Sequence, residues 1–550
     1  MTRLLYKLST RAFLFLAVLI AFVPFLDQRV LRMAGDEKVY ITQSIEMSRA
    51  GRWFVQTLAD EPSYFKGPLH YILVRIGLLL FGNHLVAGTW MNGALALLAG
   101  LAMYRLGRKR WNDKSGLLLG VATALNVGML SHALVSQMEV ELCAFYAFAV
   151  AALGLARKKA DFKYDVLFWV AAGMAGWIKS PLHSVLIGTG GLLYWTINRQ
   201  LVSRLKKPQA WLAVAIGVLV GLAGYLPAFL LDHQNFMATF LGREQFEKAN
   251  NHRSWEYVMR PLLYYALPWT FVILAAVYRS LRSNKAMRQT ADLPMVKLGF
   301  AMSAPTLLFW CLWTYKGQNY NLPAIPALLL FGWACFKGNI PRWPIRAAGV
   351  IGALAFVVAL GIVWHFWPLP GWWNRGWLIL SFASILGFAV TFLVTDDSRV
   401  VAAGAVAFCL AFGAFVAPLG EREMVDMRQY VKDNPSLTYH YYNLDPSIWS
   451  EWALLQLTLH HTVYGLHREA QLAEAVKPGH AVIVQNTDWL NLVLNYWQKN
   501  VGKGPHPVVT PWKRWLTKGK SQDGKTQWRV AWDSHDLGQL EREFYIVRFP

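Results

Sequence analysis

Along the chain, long apolar blocks alternate with short polar breaks. The blocks run 11–26, 86–106, 116–135, 139–156, 166–179, 182–197, 210–231, 263–280, 296–314, 320–337, 345–366, 376–394 and 400–418. Most approach the about 17–22 residues that a helix needs to cross the hydrocarbon of a bilayer, so the pattern predicts about thirteen spans. The polar breaks test that count. With Arg3, Lys7 and Arg11 inside, every second break is basic: 105–110, 157–159, 204–207, 279–288 and 337–346. Cytoplasmic loops are expected to carry that excess of lysine and arginine. The breaks at 131–138, 180–181, 315–319 and 367–375 are poor in positive charge. An odd count puts the C-terminus outside. The stretch 68–82 is apolar but short. Counting it as a span would invert every later break, so it is predicted to lie in, or dip into, the outer interface.

Two outer loops are long, 27–85 and 232–262. Within the first, Asp36 to Gly51 reads as an amphipathic helix, with Tyr40, Ile41, Ile45 and Met47 near helical period and Arg49 and Arg52 at its close. It is either a helix lying along the bilayer surface or an ordinary connecting helix. After Pro418 the chain turns polar. Ala481–Val484 and Phe544–Val547 read as buried strands, and Asp445 to His461 as helix. The expected architecture is an all-α polytopic membrane domain over 1–419 and a small soluble α/β domain over 420–550 on the outer face.

Composition agrees with a membrane protein. Of 550 residues, 55% are hydrophobic, more than a soluble chain of this length needs. The net charge of +22 raises the question of nucleic acid. The Lys and Arg sit in the loops between apolar blocks, which assigns them to topology and lipid phosphates, with no nucleic-acid partner. The four cysteines, Cys143, Cys311, Cys335 and Cys409, all lie in apolar blocks as small packing residues, with no metal-ligand spacing. No small-residue cleavage site follows the first block, so that block is expected to stay as an anchor.

Candidate chemistry gathers on the outer side. Asp36 and Glu37 are either carboxylates at the mouth of a membrane cavity, able to act as base or to orient an acceptor, or acids stabilising a helix N-terminus. Lys66, between Tyr64-Phe65 and Gly67-Pro68, either points its ammonium at a phosphate or snorkels at the interface. Glu139 and Glu141 open the fourth block. Two acids entering hydrocarbon imply a site or a bound divalent cation, unless both stay in interfacial water. Lys179-Ser180-Pro181 is either a phosphate-facing turn or a tight helix–helix turn. The loop from Arg243 to Arg260 holds Arg243, Glu244, His252, Arg253 and Arg260; its arginines either bind phosphate bidentately or belong to a solvated basic loop. Tyr315-Lys316 through Tyr320 to Pro323 and Pro326 is a polar break that either meets a ligand or kinks a span.

These motifs in order resemble the lipid-carrier-dependent glycosyltransferases of the GT-C fold, in the branch of the lipid A aminoarabinose transferases and, more distantly, the protein O-mannosyltransferases. The likeness runs through Gly35-Asp36-Glu37-x-x-Tyr40, Gly51-x-Trp53, Tyr64-Phe65-Lys66-x-Pro68, Glu139 at the second acid, Lys179-x-Pro181, the Arg243–Arg253 loop and Tyr320-x-Leu-Pro323-x-x-Pro326. It covers the membrane part; the C-terminal part is matched only in placement. Val39 stands where that family has arginine, Gln137 and Glu139 where it has arginine and aspartate, and Gly67 where it has proline. Aminoarabinose is therefore not carried over as the donor sugar.

The resemblance implies about thirteen spans, interfacial helices in the first outer loop and a periplasmic C-terminal domain. It implies sugar transfer from polyprenyl (undecaprenyl) phosphate to lipid A or another envelope glycolipid at the outer face of a bacterial inner membrane. Asp36, Lys66 and Glu139 would be catalytic, with Lys66 holding the carrier phosphate, helped by Arg253 or Arg243. Glu37, Tyr40, Tyr64, Lys179, Arg243, Arg253, Lys316 and Tyr320 would bind substrate. No definite cofactor is implied, with room left for a divalent cation. Two other activities compete: a flippase for lipid-linked sugars, which would place charges deep in broken helices, and transfer to protein hydroxyls. A non-catalytic scaffold would leave Asp36 and Lys66 dispensable.

Overall fold

The computed structural model describes residues 9–27, 36–59, 61–64, 66–156, 161–240, 253–282, 291–314, 316–366, 375–421, 425–444, 450–502, 505–515, 526–535 and 541–550. The chain is mostly helical. The elements, in order, are α1 (Thr10–Phe22), α2 (Glu37–Arg49), the hairpin β1 (Gln56–Leu58) and β2 (Glu61–Ser63), α3 (Leu69–Phe81), α4 (Val86–Arg110), α5 (Asp113–Ala124), α6 (Val127–Ala133) and α7 (Glu139–Leu155). Then come α8 (Phe162–Gly176), α9 (Pro181–Ile197), α10 (Pro208–Ala223), α11 (Glu256–Tyr265), α12 (Thr270–Arg282), α13 (Leu293–Leu312), α14 (Ile325–Cys335), α15 (Arg342–His365), α16 (Arg375–Val394) and α17 (Ser398–Glu421).

Each apolar block of the sequence carries helix. Among the described residues, five helices are long and apolar enough to cross a membrane, and up to seven if each of two bent pairs is one span. The chain is a multi-pass membrane protein. Two blocks depart from straight spans. Between α5 and α6 the chain bends by 45°. There the Asn126 side chain accepts from Met129 N at 2.9 Å and restarts the helix inside an apolar run. The block at 263–280 is split: α11 and α12 meet at 117° across a break holding Pro268, which has no N–H to continue a helix.

The remaining elements are α18 (Val425–Asp433), β3 (Thr438–Tyr442), α19 (Glu451–Leu459), β4 (Val463–Leu466), β5 (His480–Val484), α20 (Thr487–Asn500), β6 (Val508–Trp515) and β7 (Glu541–Phe549). The five strands β3 to β7 form one sheet in the order β4-β3-β5-β7-β6, with β3 parallel to β4 and β5 and the β7 pairings antiparallel. The apolar runs at 481–484 and 544–547 lie side by side on β5 and β7, with Ile483 opposite Ile546.

The helix α2 is covered by protein. Nine of its residues, from Glu37 to Met47, are buried by protein. Ile41 and Ile45 share an apolar cluster with Leu85 and with Tyr439, Trp452 and Leu455 from beyond residue 425. Its polar positions are satisfied by the same neighbours: Thr42 Oγ1 donates to Ser450 O at 3.0 Å, and Gln43 Nε2 to Ser63 Oγ at 2.7 Å. Arg49 Nη2 donates to Gln456 Oε1 at 3.0 Å. The polar face seen in the sequence meets a polar protein surface, with no broad apolar face left over for lipid.

Candidate functional site

Two turns fix the cations. Pro68 caps α3, whose first residue, Leu69, donates its N–H to Trp177 O at 3.0 Å. Gly67 lies so close that a Cβ there would sit 2.1 Å from the same carbonyl oxygen. Only glycine allows that approach. Lys66 and Lys179 therefore stand on two interlocked turns. The charges of both, with that of Glu139, reach His183, one turn into α9.

Glu139, at the start of α7, is 3% exposed. Its Oε1 accepts from Lys179 Nζ and from Asn319 Nδ2. The Lys179 ammonium also lies 5.0 Å over the Tyr320 ring, an attraction between cation and ring quadrupole. Tyr320 in turn packs on Trp310 with ring centroids 4.4 Å apart. The polar break at 316–320 thus delivers Asn319 and Tyr320 to the acid at 139. A buried carboxylate held by one cation and one amide is a neutralised, positioned group, which does not suit it to take protons freely.

Asp36 differs. It precedes α2 as the N-cap residue, yet its side chain makes no capping bond, and it is exposed. Its Oδ2 lies 3.4 Å from the Tyr40 hydroxyl, the donor. Capping therefore does not explain this acid. Tyr40 is buried, with its ring 5.4 Å from His70 and 6.0 Å from Tyr71, both edge-on. Burial foremost, then the charges of Asp36, Tyr71, Glu139 and Tyr320, push the Tyr40 phenol well above its usual range. That phenol is the point where the first acid, the second acid and the polar break converge.

Behind it runs a buried polar chain. Glu37 Oε1 accepts from Ser136 N at 2.8 Å, Ser136 Oγ lies 3.2 Å from His70 Nε2, and His70 Nδ1 lies 2.6 Å from Glu141 Oε1. His70 and Glu141 are fully buried, and Glu141 Oε2 has no hydrogen-bond partner among the described residues. Glu37 and Glu141 are thereby anchors between α2, α3 and α7. His70 and Ser136 were not selected from sequence; the one available signal was a histidine two residues after Gly-Pro.

Three expected site residues lie elsewhere. Lys316 is 2% exposed and turns its Nζ onto Cys311 O at 2.9 Å. Its own carbonyl accepts from Arg253 Nη1 at 3.0 Å, and the Arg253 guanidinium covers Tyr257 at 4.5 Å. Arg253 thereby holds the carbonyls of Thr314 and Lys316, and Lys316 holds that of Cys311. Tyr64 packs with Tyr225, Phe236 and Phe240, away from Tyr40. Burial first, then the charge of Asp232, raises its phenol pKa, against Arg52. An aromatic residue in a polar motif ended up in an aromatic cluster because packing decided its direction. Arg243 lies outside the described residues.

An apolar groove of about 360 Å³ runs between α8, α9 and α10, with Gly176 and Pro181, on either side of Lys179 in the chain, in its lining. Tyr225 is also in its lining, and Gly173, Gly188, Gly217 and Gly221 give it depth.

Residues 61–226 match the family described as dolichyl-phosphate-mannose-protein mannosyltransferase. An undecaprenyl phosphate-alpha-4-amino-4-deoxy-L-arabinose arabinosyl transferase of Pseudomonas fluorescens is 25% identical over 383 residues, 65% of this chain and 63% of that one. The chain spans about three fifths of the length of the curated relatives it matches. The crystal structure of ArnT from Cupriavidus metallidurans bound to undecaprenyl phosphate superposes with a TM-score of 0.69 at 17% identity, covering 98% of this chain and 97% of that one. The apo form gives 0.66 at 18% identity, covering 88% and 93%. The chain has that fold, and its resemblance to the GT-C, aminoarabinose-transferase-like proteins holds.

Proposed function

We propose that this chain is a membrane glycosyltransferase that moves a sugar from a polyprenyl phosphate to lipid A or another envelope glycolipid. The observation that carries the reading is the contrast between its two acids. Glu139 is neutralised by Lys179, whereas Asp36 is exposed, uncapped and beside Tyr40. Transfer from a lipid phosphate needs a cation for the departing charge and a carboxylate for the acceptor. Lys66, on the turn locked to that of Lys179, supplies the first, and Asp36 the second. Glu139 holds Lys179 and Tyr320 in place. If the acceptor is a phosphate, already anionic, Asp36 orients it; if a hydroxyl, Asp36 takes its proton. The groove between α8, α9 and α10 suits an isoprenoid tail by its apolar lining.

The reading takes residues 1–419 as the membrane part, crossing an inner membrane about thirteen times, and 420–550 as a periplasmic unit. The solved ArnT bound to undecaprenyl phosphate supports the donor. The description of the matched family favours a second acceptor class, protein hydroxyls.

The test is a mass spectrum of lipid A from cells carrying the wild type, Asp36→Asn or Lys66→Ala. A sugar-sized increment present only with the wild type, with all three proteins accumulating in the membrane, is expected. Full activity in both variants would sink the assignment of these residues. A reporter fused after Pro550 should be active only on the outer side.

A further inference from the structure

We propose that Asp27, His84 and His460 bind one divalent transition-metal ion of the zinc type, and that this ion staples the end of α19 to the turn between α3 and α4. One ligand atom from each residue lies within 4.8 Å of the other two. The three come from separate parts of the chain: the exit of the first apolar block, the turn after α3, and the C-cap of α19. The site lies outside the cluster around Asp36.

Its parts are held by contacts that involve no ion. Asp27 Oδ1 accepts from Val86 N at 3.2 Å, and its Oδ2 lies 3.3 Å from His84 Nδ1. A carboxylate has about four lone-pair positions, so these two contacts leave room for an ion. The His84 and His460 rings lie 4.0 Å apart. One residue before His84, Asn83 Oδ1 accepts from Gln456 Nε2 at 2.9 Å, which ties the turn to α19. His460 takes a left-handed backbone, φ 55°, uncommon for a residue other than glycine. A hydrogen bond between His84 and Asp27 accounts for those two residues. It does not account for a second imidazole laid against the first.

The ligand chemistry selects the ion. Two imidazoles and one carboxylate suit Zn²⁺ and its neighbours, whereas Mg²⁺ and Ca²⁺ want oxygen. Three protein ligands leave a fourth position for water, and all three side chains are exposed enough for an ion to enter. Arg428 and Lys432 add positive charge near His460, which sets the affinity below that of a four-ligand site. The ion would fix α19, which packs on α2, the helix that follows Asp36.

The test uses the full chain, purified in detergent and stripped with chelator, with Zn²⁺, Co²⁺ or Mg²⁺ added alone. We expect one Co²⁺ per chain with the visible bands of a low-coordinate site, displaced by Zn²⁺, and a rise in Tm with Zn²⁺ but not Mg²⁺. His84→Gln and His460→Gln should each weaken Co²⁺ binding more than about tenfold, while keeping the wild-type Tm in chelator. Asp27→Asn should do the same. A Tm that ignores Zn²⁺, or Co²⁺ bands unchanged in the His84→Gln/His460→Gln double variant, would overturn the site. If a variant loses stability in chelator, the other two decide. None of these readouts involves sugar transfer, so the result stands apart from the proposed activity.

Discussion

Replacing Lys179 by methionine tests how the site holds its buried acid. The Glu139 carboxylate is 4% exposed and the Lys179 side chain 15%. Methionine keeps the length and apolar stem but removes the charge. Among the described residues, Glu139 would be left with Asn319 as its side-chain donor. Removing one partner of a buried ion pair costs about 3–5 kcal/mol. The carboxyl can escape by taking a proton, which at pH 7 costs about 3.7 kcal/mol for a group of ordinary pKa near 4.3. We therefore expect a loss of about 3–4 kcal/mol, seen as a Tm drop of about 3 °C in detergent for a chain of this length. Glu139→Gln on top of Lys179→Met removes the stranded charge and should restore at least about half of that loss. The assay is a double-mutant cycle on thermal unfolding of the four proteins. A single variant costing under about 1 kcal/mol, or a double variant no better than Lys179→Met, would refute the view that these two charges hold each other.

Other expectations follow from the same geometry. Gly67→Ala forces the Lys66 turn off Trp177 and should lower transfer about 100-fold while the protein still inserts, measured on membranes with a lipid-linked donor. Tyr40→Phe keeps the packing against His70 and Tyr71 but removes the contact with Asp36. Its effect should fall on transfer with Tm little changed. His440 is buried in the sheet beside His480, and burial first, then that neighbour's charge, holds its pKa down at about 4 against 6.5 unfolded. The unfolded chain then binds more protons between those values, so stability is full above pH 6.5 and falls as pH drops toward 4, by about 3 kcal/mol at most. Acid unfolding followed by a Trp probe should show this slope, and His440→Asn should flatten it.

The helices were legible because thirteen apolar blocks and alternating basic loops are local signals. Asp36, Glu139, Lys179 and Tyr320 were readable as an ordered set of motifs; the fold puts Asp36 against the Tyr40 hydroxyl and gathers Glu139, Lys179 and Tyr320 around one ion pair. What failed was direction. Lys316 and Tyr64 sit in motifs rich in site residues, but which way a side chain turns is decided by partners far along the chain: Cys311 O and the Arg253 brace for one, Tyr225 and Phe236 for the other. The chain from Glu37 through Ser136 and His70 to Glu141 joins three elements and leaves no spacing to read. The burial of α2 escaped for the same reason. A polar face looks the same in sequence whether it meets water or another polar protein surface.

That burial bears on how the protein is made. One flank of α2 rests on α3, which follows it closely, and the other on residues beyond 450; Thr42 and Ser450 are 408 positions apart. A growing chain inserts its membrane helices long before the second flank exists. Until then Ile41 and Ile45 lack their cover, and Asp36 stands at the head of a helix held on one side. Asp36 reaches its place in the folded chain only once the late segment has been synthesised and has docked. Under the proposed function, assembly order keeps a half-made chain inactive.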